Sequence, residues 1–298
     1  MQKGLWITMG QAAQPTPPVV VTGASGRIGR VLQVVWGGLR PAGFAVPDRV
    51  WWTARQAGQP VWHIGGPVPV LPQGAIVLHL AAALHGPEVA SNAATTDAVC
   101  RAAIACGASH VFVASTAAVY PSGRDLAETV PPAPTSAYGR SKHESEQAAM
   151  RLLPGPMEPG LTVLRIGNLA GADSLLGGLR PGTPALLDPI PDQPGGPLRS
   201  YIGPSVLAGV LAALILRAQA GGDLPQILNV AQPGVVAMGD LLDAAGHPWR
   251  FGPRNPAAIP VVGLSVDRLQ ALLPADTLPP ATAAGILADL TSIKEQWR

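Results

Sequence analysis

Charge is scarce in this chain. Only 13% of its 298 residues are Asp, Glu, Lys or Arg, and the formal net charge is +2. No basic run or cationic helix stripe occurs, which excludes the electrostatic footprint of a nucleic-acid binder. Cysteine is nearly absent. Cys100 and Cys106 form neither a CxxC pair nor a disulfide framework, so a reducing, cytoplasmic compartment is the simplest expectation. The six histidines include no HExxH and no Cys/His cluster, so no metal site is expected. The longest apolar run, Val206 to Leu216, falls well short of the roughly 20 residues that span a bilayer. The first residues carry one lysine and a short apolar patch, Leu5 to Met9, before Gln- and Pro-rich sequence. Residues 1–17 therefore read as a tail and not as a signal peptide.

Apolar residues, by contrast, make up 47% of the chain, ample for a large core. Short apolar runs at 19–22, 50–53, 61–64, 75–80, 110–115 and 161–166 alternate with helical or loop stretches. Helices are predicted at 27–36, 88–106, 136–152 and 204–219, with Ser136 able to cap the third. Continuous apolar strands between helices indicate an α/β fold with a parallel sheet covered on both faces. After Leu224 come a strand (Ile227 to Val230), a short helix from Met238, and helical stretches near 264–273 and 283–296. Gly and Pro concentrate between Leu175 and Leu198, which reads as a mobile loop over a site or equally as a passive surface connection.

The most informative stretch is Val19-Val20-Val21-Thr22-Gly23-Ala24-Ser25-Gly26-Arg27-Ile28-Gly29, followed by the helical pattern Ile28, Val31, Leu32, Val35. A strand that turns into a helix aims the helix's free N–H groups and positive dipole end into the turn. Glycines there let the backbone approach a pyrophosphate closely, so the stretch reads as a dinucleotide-binding turn. Downstream lies Tyr138-Gly139-Arg140-Ser141-Lys142, preceded by Ser115-Thr116-Ala117-Ala118-Val119-Tyr120. Tyr138 and Lys142 are four apart and share a helix face. An ammonium beside a phenol stabilises the phenolate, which predicts a lowered Tyr138 pKa and acid–base use near neutrality. His79, inside an apolar strand, reads as a packed residue and not as a ligand.

These stretches, with His79-Leu80-Ala81-Ala82, Asn92 at a helix head, Leu164-Arg165-Ile166-Gly167-Asn168 and Arg199-Ser200-Tyr201-Ile202, occur in one order over most of the chain. In that order they resemble the extended short-chain dehydrogenases/reductases of the NAD(P)-dependent epimerase/dehydratase family, which act largely on nucleotide sugars. The resemblance implies a Rossmann-type doubly wound parallel sheet over 18–165, completed by a helix from 200–220. Residues 166–199 and 221–298 would form a small C-terminal substrate lobe. It also implies homodimerisation.

By the same resemblance Thr116, Tyr138 and Lys142 are catalytic. Thr116 would donate to the substrate carbonyl oxygen, Tyr138 transfer the proton, and Lys142 also reach the nicotinamide ribose. The cofactor would lie against Gly23, Ser25, Gly26, Arg27, Ile28, Gly29, Leu80, Ala81, Ala82, Asn92, Ser115 and Ile166. Substrate would meet Thr116, Asn168 and Arg199, the last clamping a diphosphate. The run Val50-Trp51-Trp52-Thr53-Ala54-Arg55 puts Ala54 where NAD-preferring members carry an acidic residue, with Arg55 beside it as a fork for a 2′-phosphate. Arg27 and Arg30 could add a second cation, so NADP is favoured over NAD. Departures from the family pattern are Ser205 in place of aspartate and Pro121 in place of glycine.

Ala117-Ala118 stands where 4,6-dehydratases carry an Asp-Glu pair, and Ala117 where the epimerase-reductases of fucose synthesis need a cysteine. The expected activity is therefore hydride transfer on a sugar-type carbonyl or alcohol of a nucleotide sugar. A 4-epimerase with tightly held cofactor is the alternative. A non-catalytic NADP-binding sensor would gain nothing from retaining Thr116, Tyr138 and Lys142.

Overall fold

A computed structural model describes residues 16–39, 45–47, 50–53, 70–155, 159–275 and 277–297. Its frame is a parallel sheet built from β1 (Val19–Thr22), β2 (Val50–Thr53), β3 (Ile76–His79), β4 (His110–Thr116), β6 (Gly160–Ile166) and β11 (Ile227–Val230). Their spatial order is β2-β1-β3-β4-β6-β11, every neighbouring pair parallel. The chain leaves β1 toward one edge and returns to β3 on the other side, and a ligand crevice opens at such a reversal of strand order.

Alternation along the strands divides the core. Val19 and Val21 face one way with Ile76, Leu78 and Phe112. They pack on α1 (Arg27–Val34) and α4 (Pro204–Gln219). Val20, Val77, Val111 and Val163 face the other way, against α2 (Asn92–Ala105) and α3 (Ala137–Leu152). Two buried faces explain why these strands read as continuous apolar runs. Cys100 and Cys106 are free thiols packed in the second layer.

Helix starts follow local chemistry. Ser136 accepts from the Gly139 N–H at 3.0 Å and opens α3. Pro204 occupies the first turn of α4. The Ser205 N–H, at the position of the family aspartate, finds its carboxylate elsewhere and donates to Asp289 Oδ2 at 3.0 Å.

The smaller lobe consists of short ladders. β5 (Gly123–Leu126), β14 (Val261–Leu264), β9 (Leu198–Arg199) and β12 (Val236–Ala237) form one sheet. β7 (Asn168–Leu169) pairs with β10 (Tyr201–Ile202), and β8 (Ala185–Leu187) with β13 (Trp249–Phe251). The helices α5 (Met238–Ala244), α6 (Asp267–Leu272) and α7 (Ala283–Trp297) complete the chain, and α7 packs on α1, α4 and α5.

Two expectations change. β11, expected in the lobe, is an outer strand of the main sheet, because its apolar run pairs with β6. The 175–198 stretch is anchored by the buried Leu175 and Leu187 and by the β8–β13 pairing. The strand expected at 61–64 lies outside the described residues, as does the tail before residue 16. Among the described residues no helix is long and apolar enough to cross a membrane, and no group of His, Cys, Asp or Glu is arranged to hold a metal.

Candidate active site

A cleft of about 960 Å³ opens at the carboxyl ends of β1, β3, β4 and β6, with residues 166–174 on its far wall. The glycine turn forms its floor. Gly23 has φ of 75°, and a Cβ there would stand 2.6 Å from the Ala81 nitrogen, so the turn and the segment after β3 touch backbone to backbone. A Cβ at Gly29 would meet the Ala24 backbone at 2.5 Å. α1 begins at Gly26 with no side-chain cap, leaving its first N–H groups and dipole end to whatever enters the turn.

Gly23, Ser25, Gly26, Arg27, Ile28, Gly29, Leu80, Ala82, Ser115, Thr116, Tyr138, Lys142, Ile166 and Asn168 all line this cleft. Ala81 and Asn92 do not. Ala81 is buried beneath Gly23. Asn92, also buried, clamps Ala83, accepting from its N–H at 2.8 Å and donating to its carbonyl at 3.0 Å. It shapes the loop from behind. His79 is a packed, neutral residue between Thr22 (2.7 Å) and Thr96 (3.2 Å), its pKa pushed down to about 3 by burial and then by Lys142. Ala54 and Arg55 lie outside the described residues.

Thr116 ends β4, and its Oγ1 accepts from the Ala118 N–H at 3.2 Å, which leaves its proton for another acceptor. Tyr138 and Lys142 stand one turn apart at the start of α3. Lys142 is 3% exposed, and among the described residues its ammonium has no hydrogen-bond partner. Burial lowers its pKa to about 8, opposed by the Glu146 carboxylate.

The expected coupling between the phenol and the lysine is corrected here. Burial pushes Tyr138 up to about 12, and the charge that favours its phenolate is Arg27. Desolvation outweighs Coulombic help in this cleft.

An uncapped helix start, a turn that excludes side chains and a largely buried lysine that lines the cleft fit a dinucleotide. The turn would hold its pyrophosphate and Lys142 its nicotinamide ribose.

Beneath the cleft runs a buried polar chain that the sequence reading missed. Ser115 Oγ donates to Glu146 Oε1 at 2.5 Å. Glu146 also takes a bidentate pair from Arg165, 3.0 Å from Nε and 2.8 Å from Nη2. Arg165 Nη1 donates to the Tyr120 hydroxyl, which donates onward to Asn229 Oδ1, both at 2.9 Å. The signal was legible: an arginine inside the apolar strand Leu161 to Ile166 must find a carboxylate, since buried charges are paired.

Asp173 was also missed. It lines the cleft and accepts from the Tyr201 hydroxyl at 2.8 Å and the Leu176 N–H at 3.1 Å, while burial raises its pKa.

Arg199 is not brought to the cleft. Its guanidinium donates to the Leu198 and Ile259 carbonyls, each at 2.8 Å, which holds β9 to the segment before β14. Arg27 reaches across instead and donates to the Ala172 carbonyl, tying the glycine turn to the lobe.

The model of the NAD dependent epimerase/dehydratase family matches residues 19–176. The chain belongs to this family. It is an enzyme of the epimerase/dehydratase type with a Rossmann-type fold.

Among solved structures it is similar to MoeE5 in complex with UDP-glucose and NAD, at 19% identity and TM-score 0.70, over 94% of this chain and 100% of that one. The UDP-glucose-4-epimerase from Stenotrophomonas maltophila, with bound NAD and formylated UDP-arabinopyranose, gives 18%, 0.69, 94% and 98%. The NAD-dependent NDP-hexosamine 5,6-dehydratase TunA gives 17%, 0.68, 94% and 98%. These are likenesses of fold. A search of curated proteins finds no match.

Proposed function

We propose that this enzyme interconverts a secondary hydroxyl and a carbonyl on a sugar-type substrate carried by a nucleotide, using NADP(H) as redox partner. The observation that carries the reading is the meeting of Thr116, Tyr138 and the unpartnered Lys142 at the end of the glycine-floored cleft. The dinucleotide supplies or accepts the hydride when bound.

The chain's own groups handle the oxygen. Thr116 donates its free proton to the reacting oxygen, and Tyr138 gives or takes the proton that oxygen exchanges. Lys142 holds the ribose, while the positive charge that favours the Tyr138 phenolate is Arg27. Ala118 lines the cleft and Ala117 is buried, so neither offers a carboxylate for elimination of water, which supports a redox reaction over dehydration. The nucleotide carrier is supported by the similar solved structures holding UDP-sugars. NADP is supported by Thr53-Ala54-Arg55, which sets no carboxylate after β2, and titration with both dinucleotides decides it.

The Arg27–Ala172 contact across the cleft favours a second reading, a 4-epimerase that keeps its cofactor through the cycle. Stoichiometric consumption of cofactor marks the first reading, and turnover without consumption the second.

Tyr138→Phe tests both. We expect turnover to fall by about 10²-fold or more, with dinucleotide affinity nearly unchanged, because the phenol acts in proton transfer. Wild-type turnover in this variant would remove the mechanism.

A further inference from the structure

Glu146 is a buried charge that the mechanism above leaves unused. It stands four residues after Lys142 on α3, so the two share a helix face one turn apart. Both are withdrawn from solvent, Glu146 completely and Lys142 to 3% exposure. Three elements that bear site residues meet at its carboxylate. Ser115, next to Thr116 at the end of β4, donates to Oε1. Arg165 on β6, three residues before Asn168, grips both oxygens. The third element is α3 itself, with Tyr138 and Lys142.

Cancelling the Arg165 charge accounts for only part of this placement. A buried ammonium stays protonated only if negative charge nearby offsets its desolvation. Burial pushes Lys142 down to about 8, and the Glu146 carboxylate opposes that fall. The other titratable groups of the surrounding elements supply no such charge. His79 on β3 is neutral, its pKa pushed down to about 3, and Tyr138 keeps its proton up to about 12. Arg165 is a cation, and His143 Nδ1 lies 3.6 Å from Glu146 Oε2 on the same helix. On α2, which packs against α3, burial raises the Cys100 thiol to about 12, and Asp97 is paired with Arg101 at the exposed side.

We propose that Glu146 is a positioning residue for the dinucleotide. Its carboxylate keeps Lys142 protonated for the ribose and ties the ends of β4 and β6 to α3, while Arg165 holds that carboxylate ionised and in place. The proposal rests on the reading above that Lys142 holds the ribose.

The test is NADH binding, followed by fluorescence from pH 6 to pH 9 in wild type and variants. Glu146→Gln removes the charge, so Lys142 should lose its proton about one pH unit earlier. Its NADH affinity should match wild type near pH 6 and fall about tenfold below it by pH 9. Because this variant strands Arg165, a second replaces the whole pair. Glu146→Met combined with Arg165→Met leaves no buried charge unpaired, and such exchanges often cost little stability. Its denaturation midpoint should lie nearer wild type than that of Glu146→Gln, yet its NADH profile should show the same early fall with pH.

A double variant that regains the wild-type profile would overturn the proposal, since Glu146 would then serve Arg165 alone. So would a loss of NADH affinity that is equal at every pH, the mark of a merely structural role. Lys142→Met separates the proposal from its premise and should bind NADH weakly, without the fall in affinity between pH 7 and pH 9. If it keeps the wild-type profile, the reading of Lys142 fails, and the role of Glu146 toward it fails as well.

Discussion

In the main sheet, β1, β3, β4 and β6 carry four to seven residues each, nearly all buried on both faces. In the lobe, β7, β9, β10 and β12 have two residues apiece. Much of what fixes the lobe is polar: Asp173 on Tyr201, Arg199 on two carbonyls, Ser200 Oγ accepting from Leu264 N–H at 2.9 Å. The first region can hold reacting groups rigidly, because its side chains are locked by packing. The second can change its contacts, and so its ligand, without disturbing the sheet. Thr116, Tyr138 and Lys142 stand on the first, while Asn168 and Asp173 belong to the second.

If packing and burial set the sheet half, breaking its deep Glu146–Arg165 ion pair should have the largest effect on stability. Glu146 is wholly buried and Arg165 is 2% exposed. Glu146→Gln leaves the guanidinium without its charge partner and should cost about 3–5 kcal/mol. Denaturant midpoints at an unchanged slope measure it. A loss below about 1 kcal/mol would show that Arg165 is hydrated or re-paired, and that the sheet half is less sealed than its burial implies.

The same contrast explains what was legible in the sequence. The ends of β1, β2, α4 and β11 coincide with the apolar runs that predict them, and in β1 and β11 burial on both faces leaves that pattern unbroken. A two-residue ladder has no period to detect, so β7, β9, β10 and β12 were invisible. The glycine turn, Thr116, Tyr138 and Lys142 line one cleft, as the short-range motifs that single them out lead one to expect. The place of Arg199 was not legible, because whether a guanidinium points into a cleft or onto a carbonyl depends on Ile259, sixty residues away. Placing β11 in the lobe failed for a related reason: its apolar pattern predicts a strand but not the neighbour it pairs with.

A residue proposed to be catalytic in the sealed half should weigh on stability. Lys142 is an ammonium held without a partner, with its pKa lowered to about 8 by burial. Between that value and the ordinary 10.5 the unfolded state binds more protons, so wild-type stability contributed by this group rises with pH. Below about 8 the charged form is present in both states and its desolvation cost is fully felt. Lys142→Met should therefore abolish turnover yet stabilise the fold at pH 7 by about 2 kcal/mol. The gain should shrink as pH rises above about 8, when the wild-type lysine becomes neutral in the fold. Thermal melts of both proteins from pH 7 to 10 would show it, and a constant difference would mean that the variant gains by packing alone.

The smallest effect belongs to the lobe and sharpens the comparison through glycine. Gly23 and Gly182 have nearly the same φ, 75° and 73°. Both therefore hold a left-handed conformation that side chains disfavour by about 1–2 kcal/mol. Their surroundings differ. A Cβ at Gly23 would strike the Ala81 backbone, whereas one at Gly182 meets nothing within 4 Å. Gly182→Ala should accordingly cost only the conformational share, about 1 kcal/mol, and leave dinucleotide affinity unchanged. Paired denaturation and NAD(P) titrations separate the two contributions. A cost at Gly182 as large as at Gly23 would mean that the 175–198 stretch is packed as tightly as the sheet half. The lobe would then be no freer than the sheet to vary its ligand contacts.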